Sequence, residues 1–394
     1  MRNISLSNSK ILVASFLIVL VASFIFQGQM NSASADSSDK SKNKEKKVRV
    51  LANSESRAAE AIKKGCEKVR ETKGLKALVC DIEVAETLGL REDIKLFATD
   101  TVADAQIGAD SVQASGNSGE GRKIVVLDTG YNYDHVELSS SYLGGKDFVN
   151  DDNDPMDDNG HGSHVAGLIT ADGVKSVAKG VAPEAGIIAG KVLNAEGTGF
   201  FSDLVAAIYW AVDGPDGIPG NKDDFKADAI NLSMGTAPPY VYKSTYCDDE
   251  MPEMTDAIKY AISKKVTVVV AAGNYGSQGV SFPGCISYAL TVGAVDGDDK
   301  VASFSGRGKG VDLTAPGVDL ISAWKGTAYA TSDGTSMSAP VVSATIALIK
   351  HEHHYYGAAK VRNILIDTSV DLGKVGKDHS YGFGRIDAAA AAAL

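Results

Sequence analysis

From residue 123 onward the chain alternates short unbroken apolar runs with longer segments of three-to-four-residue apolar spacing. The runs 124-IVVL-127, 186-GIIAGKVL-193, 229-AINLS-233, 266-VTVVVAA-272 and 289-ALTVGAV-295 lack the polar alternation of a half-solvated strand, so both faces of each should be buried. Helical spacing falls between and after them, near 161–170, 201–212, 253–264, 336–351 and 358–366. This order predicts an α/β domain, a doubly wound and mostly parallel sheet flanked by helices. Sites in such sheets form beyond the carboxyl ends of the strands.

The front of the chain reads differently. Arg2 and Lys10 precede the run 11-ILVASFLIVLVASFIF-26, and 33-ASA-35 offers small residues for cleavage, the layout of a signal peptide over 1–35. The run is short for a spanning helix, and an uncleaved anchor is the alternative. Residues 36–47 are a polar, charged tract. A small α+β unit should follow over 48–105. Its expected elements are the strand 48-VRVLA-52, a helix near Ser56–Arg70, the strand 75-LKALVCDI-82, a short helix and an extended tail 94-IKLFATDTVADA-105. The turn-rich stretch 115-SGNSGEGR-122 then connects to the main domain.

Charge marks the same boundary. Residues 1–105 sum to +3 and residues 106–394 to −14. An acidic body of this size argues against nucleic acid or an anionic membrane as partner. Cys66, Cys80, Cys247 and Cys285 match no zinc spacing, and in an exported chain three disulfide pairings are open. Two cysteines lie on each side of the charge boundary, which favours Cys66–Cys80 with Cys247–Cys285.

Candidate chemistry gathers where strands end and helices begin. The strand 124-IVVLDTG-130 ends in Asp128, and 266-VTVVVAAGN-274 ends in Asn274. His161 opens a helix in 157-DDNGHGSHVAGLI-169, and Ser336 opens another in 333-DGTSMSAPVVSATIALI-349. A serine nucleophile needs a base within reach, the base needs an orienting carboxylate, and the developing oxyanion needs donors such as an Asn side chain and a helix N-terminal amide. Singly, each residue also reads as a turn, a cap or a strand end.

Together, the segments VVLDTG, NGHGSHVAG, AAGN and GTSMSAP resemble the signature motifs of the subtilisin-like serine peptidases, from about residue 106 to about 388. The resemblance implies Asp128 as orienting carboxylate, His161 as general base, Ser336 as nucleophile and Asn274 as oxyanion donor, with no catalytic cofactor. His164 is expected to be a packed helix residue. By the same resemblance the substrate backbone adds as a strand between Gly197, Thr198 and Gly199 on one side and Ser233, Met234 and Gly235 on the other. Large apolar P1 residues, protein and peptide substrates, secretion and a monomeric catalytic domain (106–394) are further implications. Residues 36–105 resemble a pro-region that assists folding and inhibits the enzyme until it is cut within 99-TDTVADAQI-107.

The six aspartates of 147-DFVNDDNDPMDDNG-160 suggest a calcium loop, since compact Asp/Asn loops supply the oxygens such an ion takes. Asp147, Asp152 and the Asp154 backbone fall where thermitase-like members bind calcium, although Met156 stands at another of their ligand positions. A second loop, 168–179, departs from the family's calcium pattern at Glu137 and Val174. The insert 213-DGPDGIPGNKDD-224 and the tract 351-HEHHYY-356 read more simply as a turn-rich loop and an exposed helix end. Two other classes stay open: a catalytically dead scaffold that binds, and a surface protein organised around its acidic loops.

Overall fold

Seven strands form the sheet that the apolar runs predict: β1 Lys123–Asp128, β2 Tyr142–Asp147, β3 Gly186–Lys191, β4 Ala229–Leu232, β5 Thr267–Ala271, β6 Leu290–Val295 and β7 Leu313–Pro316. They lie in the order β7-β6-β5-β4-β1-β3-β2, and every pairing is parallel. The strand order reverses at β1, so the carboxyl end that carries Asp128 lies at the crevice a doubly wound sheet opens for ligands. The computed structural model describes residues 17–19, 47–52, 54–72, 75–92, 101–175 and 177–394.

Both faces of the sheet are covered, as the unbroken apolar runs require. Alternate residues of β1 point to opposite layers. Ile124 and Val126 join one core, with helices α1 His161–Thr170 and α4 Thr335–Glu352. Val125 and Leu127 join the other, with α2 Phe201–Asp213 and α3 Pro252–Ser263. The helix headed by His161 and the one carrying Ser336 in its first turn therefore share one face. A further helix, α5 Ala358–Asp367, joins the first core through Val361, Ile364 and Leu365.

The described chain falls into two compact units, one within Asn31–Ala98 and one comprising Thr99–Leu394 with the short strand Leu17–Val19. The smaller unit runs strand Lys47–Ala52, helix Glu55–Lys63, strands Glu67–Thr72 and Leu75–Asp81, helix Ile82–Thr87 and strand Arg91–Glu92. Its four strands pair antiparallel in the βαββαβ arrangement of a split βαβ sheet. The helix expected to reach Arg70 stops at Lys63. Gly65, at φ 95°, turns the chain, and residues 67–72 become an edge strand instead. Cys66–Cys80 staples that strand's start to its neighbour, and Cys247–Cys285 closes the second of the favoured pairings.

The tail expected to be extended over 94–105 is corrected in its second half. Residues 93–100 lie outside the described residues, but Thr101–Ile107 is a helix. Ala103 and Ile107 are buried in the core of the larger unit, Gln106 donates to Asp296 O and Asp299 Oδ1, and Arg385 donates to Gln106 O. Asp104 is buried with them, and burial pushes its carboxyl up to about 7. The i, i+4 pair Ala103 and Ile107 gives this polar segment a small apolar face, and tertiary packing fixes it as a helix. The larger unit thus begins ahead of residue 105. Most of the leader's apolar run also lies outside the described residues, and no helix among those described is long and apolar enough to cross a membrane.

Candidate active site

Asp128 ends β1 fully buried, and its Oδ1 lies 2.7 Å from Nδ1 of His161, the first residue of α1. The same oxygen accepts the Thr129 amide at 2.7 Å, which fixes the carboxylate rotamer. Two glycines allow α1 to come this close. A Cβ on Gly162 would stand 2.2 Å from Gly130 O, and one on Gly160 would stand 2.4 Å from the Trp324 ring. The H-G spacing of the motif is thus a packing requirement as well as a chemical one.

Burial disfavours the imidazolium of His161. The charge of Asp128, its hydrogen bond and the nearby charge of Asp157 more than reverse that, and the pKa ends above the ordinary 6.5. His164, one turn on, goes the other way. Burial and the neighbouring His161 push it down to about 3, its Nε2–H is shared between Leu320 O and Ala330 O, and its ring meets Trp324 edge-on. It is a neutral packing residue, as expected.

Ser336 sits in the first turn of α4, 6% exposed. Pro340, four residues on, has no N–H to give to Ser336 O. Ser233 Oγ fills that role at 2.8 Å, while Ser336 Oγ donates back to Ser233 O at 3.1 Å. Asn231 Nδ2 donates to Ser233 Oγ, and Ser343 Oγ donates to Asn231 Oδ1, so a buried polar chain ties β4 to α4. In this resting geometry His161 Nε2 is buried with no hydrogen-bond partner among the described residues. Catalytic hydrogen bonds are often unmade before substrate binds.

Asn274 follows β5. Its Oδ1 accepts both the amide and the hydroxyl of Thr335 at 3.0 Å, and Thr335 Oγ1 accepts the Gly273 amide. That clamp sets which way the carboxamide nitrogen faces. A Cβ on Gly334 would lie 3.4 Å from Asn274 Nδ2 and 3.6 Å from Ser336 N, so the two donors flank one small space that glycine keeps open.

One of the two expected substrate edges lies on a strand. The turn Asn194–Gly197 is held by Asn194 Oδ1, which accepts Glu196 N, Thr198 N and Thr198 Oγ1. It opens the strand Thr198–Phe200, to which Leu17–Val19 adds antiparallel, pairing Ile18 with Gly199. Residues 198–200 thus accept an added strand. Ser233, Met234 and Gly235 leave β4, with Met234 buried and Gly235 against Ser281.

The acidic loop divides its work. Asp147 and Asp152 face each other across a two-residue bridge. Asp147 Oδ1 accepts Val149 N and Asn150 N, its Oδ2 accepts Asn150 Nδ2, Asp152 Oδ1 accepts Asp154 N, and Asp154 Oδ1 accepts Tyr133 OH. Among the described residues no group of three or more His, Cys, Asp or Glu side chains converges for a metal ion. For a cation the loop offers second lone pairs on these oxygens and backbone carbonyls, not a ready carboxylate cage. Beside the second loop, Glu137 accepts Val174 N, Lys175 N and Tyr329 OH, so hydrogen-bond donors rather than carbonyls face the carboxylate. Asp147 is likewise faced by three N–H groups, but its loop adds the Asp152 and Asp154 oxygens, which Glu137 lacks beside it.

Sequence reasoning passes over Asp157. Its carboxylate accepts Asn159 N, Gly160 N, Ser163 N, Ser163 Oγ and Thr129 Oγ1, capping α1 directly behind His161. Its place among six aspartates masks a cap signal that the helix start after Gly160 could have revealed. Thr335 and Lys191 carry no signal of their own.

The profile described as "Subtilase family" matches residues 119–384. An "Intracellular serine protease" of Paenibacillus polymyxa is 38% identical over 241 residues, which cover 59% of this chain and 67% of the relative. A "Thermophilic serine proteinase" of Bacillus sp. (strain AK1) is 36% identical over 263 residues, 66% of this chain and 60% of the relative. "Subtilisin BL" of Lederbergia lenta is 36% identical over 287 residues, 73% of this chain and 96% of the relative.

Proposed function

Since the chain belongs to the subtilase family and is a serine endopeptidase acting on protein substrates, we propose that Asp128, His161 and Ser336 are its catalytic triad and that Asn274 and the Ser336 amide form its oxyanion hole. The observation that carries this reading is the 2.7 Å Asp128–His161 bond, made at the start of the helix that shares a sheet face with the one bearing Ser336. Ser336 Oγ attacks the scissile carbonyl carbon while His161 Nε2 takes its proton. Electron density moves onto the carbonyl oxygen, which Asn274 Nδ2–H and the Ser336 N–H receive. Collapse breaks the C–N bond, and His161 returns the proton to the leaving amine. Water then repeats the sequence on the acyl-enzyme.

The substrate backbone adds to Thr198–Phe200 and to the Ser233–Gly235 edge, which supports broad specificity, while the preference for large apolar P1 residues rests on the family resemblance. The smaller unit is read as a pro-region acting as intramolecular inhibitor, and the leader as a signal peptide for secretion. The maturation cut, expected within 99–107, is read as falling ahead of Thr101, in 93–100, a reading that the packing of Thr101–Ile107 into the larger unit's core supports. A monomer suffices, since one chain supplies every group named.

A fluorophosphonate tests the assignment and its acid–base logic together. The label should map to Ser336. The base is active only when neutral, and the raised His161 pKa delays that state, so the labelling rate should climb with pH along a limb centred above 6.5. A label elsewhere, or a rate flat with pH, would reject the triad.

Calcium remains a proposal for the Asp147–Asp152 loop, supported by the backbone bridge that brings Asp147 and Asp152 alongside each other. A ligand bound only by the folded state raises stability by RT ln(1 + [L]/Kd), about 2.7 kcal/mol at a hundred times Kd. A chelator should therefore lower the melting temperature. No change would remove the stabilising site and leave the protease reading intact.

A further inference from the structure

Lys191 closes β3 with its side chain sealed from solvent, 1% exposed. A buried ammonium is costly unless its N–H groups find acceptors. Here Nζ donates to Thr129 O at 2.6 Å, to Asp158 Oδ1 at 2.6 Å and to Leu193 O at 3.0 Å. Thr129 follows Asp128 directly. Asp158 lies three residues before His161. Leu193 leads into the turn that opens the strand Thr198–Phe200.

Other contacts reinforce this junction. Lys191 is the register partner of Asp128 between β3 and β1. Val192 N and Leu193 N both donate to Asp128 O, at 2.9 and 3.1 Å. A parallel tie runs through Asn159, whose Oδ1 accepts His161 N at 3.1 Å and whose Nδ2 donates to Ala195 O at 2.8 Å. The carboxylate that meets the ammonium, Asp158, is itself half exposed. Buried ion pairs rarely outperform well-packed apolar residues as plain braces, so mere filling of this space does not account for a charge here.

We propose that Lys191 is a positioning residue that couples occupation of the edge Thr198–Phe200 to the alignment of Asp128 and His161. A peptide long enough to add a strand there loads the segment that the hydrogen-bonded Asn194–Gly197 turn opens. The Lys191 and Asn159 ties carry that load to Thr129 and to the loop before His161. Binding energy from residues remote from the scissile bond is then realised in turnover rather than only in affinity. The proposal rests on the triad reading above.

The test uses processed enzyme and two anilide substrates, one a single residue and one extending four residues upstream of the cleaved bond. In wild type kcat should rise with length. Asp158→Asn and Lys191→Met should each lower the long-to-short ratio of kcat by about tenfold, with KM moving less than kcat. Asp158→Glu, which keeps the charge at a half-exposed position, should retain most of the ratio. If Lys191→Met fails to fold, Asp158→Asn decides. An unchanged ratio in Asp158→Asn, or an equal loss on both substrates, overturns the coupling and leaves Lys191 a structural clamp. Fluorophosphonate labelling of wild type separates the two levels: an unlabelled, inactive wild type overturns triad and coupling together, whereas a labelled wild type with unresponsive ratios overturns the coupling alone.

Discussion

Ser336→Ala should accumulate as a folded precursor with the smaller unit still attached, and should hydrolyse peptides about a millionfold more slowly than wild type. That figure is carried over from subtilisin itself, where the triad acts as a unit. The structure supplies the reason to expect a folded variant. Ser336 O keeps its donor from Ser233 Oγ, and only the 3.1 Å bond from Ser336 Oγ to Ser233 O is lost. A net contribution of about 1 kcal/mol for such a bond is well within the stability of a domain this size. N-terminal sequencing of wild type should place the new terminus within or just after residues 93–100, ahead of the helix Thr101–Ile107. If purified Ser336→Ala cuts there at the wild-type rate with no other protease present, self-processing by this triad is refuted.

Asn274→Leu should fold and turn over about 10²–10³ times more slowly, again a magnitude known from subtilisin. KM should move little, because the donor meets a charge that exists only in the transition state. The geometry adds a second variant. Thr335 gives Asn274 Oδ1 two hydrogen bonds, so Thr335→Val removes the hydroxyl and keeps the amide. It should cost part of the same kcat. An Asn274→Leu enzyme with unaltered kcat would remove Asn274 from the oxyanion hole.

Much of this protein is legible in its amino-acid sequence. Strands buried on both faces leave continuous apolar runs, and five of the seven strands announce themselves that way. The sheet's two outer strands, Tyr142–Asp147 and Leu313–Pro316, do not. Tyr142–Asp147 is largely half-buried and glycine-rich, and Leu313–Pro316 is a four-residue run ending in proline, so neither shows a long pattern. Asp128, His161, Asn274 and Ser336 stand out as candidates because strand ends and helix starts concentrate chemistry, and because the motifs around them are long.

Tertiary structure decides the rest. Residues 67–72 are too polar to read as a strand, yet pairing with Leu75–Asp81 beside the Cys66–Cys80 bridge makes them one. Thr101–Ile107 has little helical signal of its own and becomes a helix by docking Ala103 and Ile107 into the core. Asp157, Thr335 and Lys191 act through partners 28 to 62 residues away. A sequence records which side chains can donate or accept, and periodicity records which face is buried. Which donor meets which acceptor across such separations depends on how the sheet's crossovers return the chain, and only the folded molecule contains that.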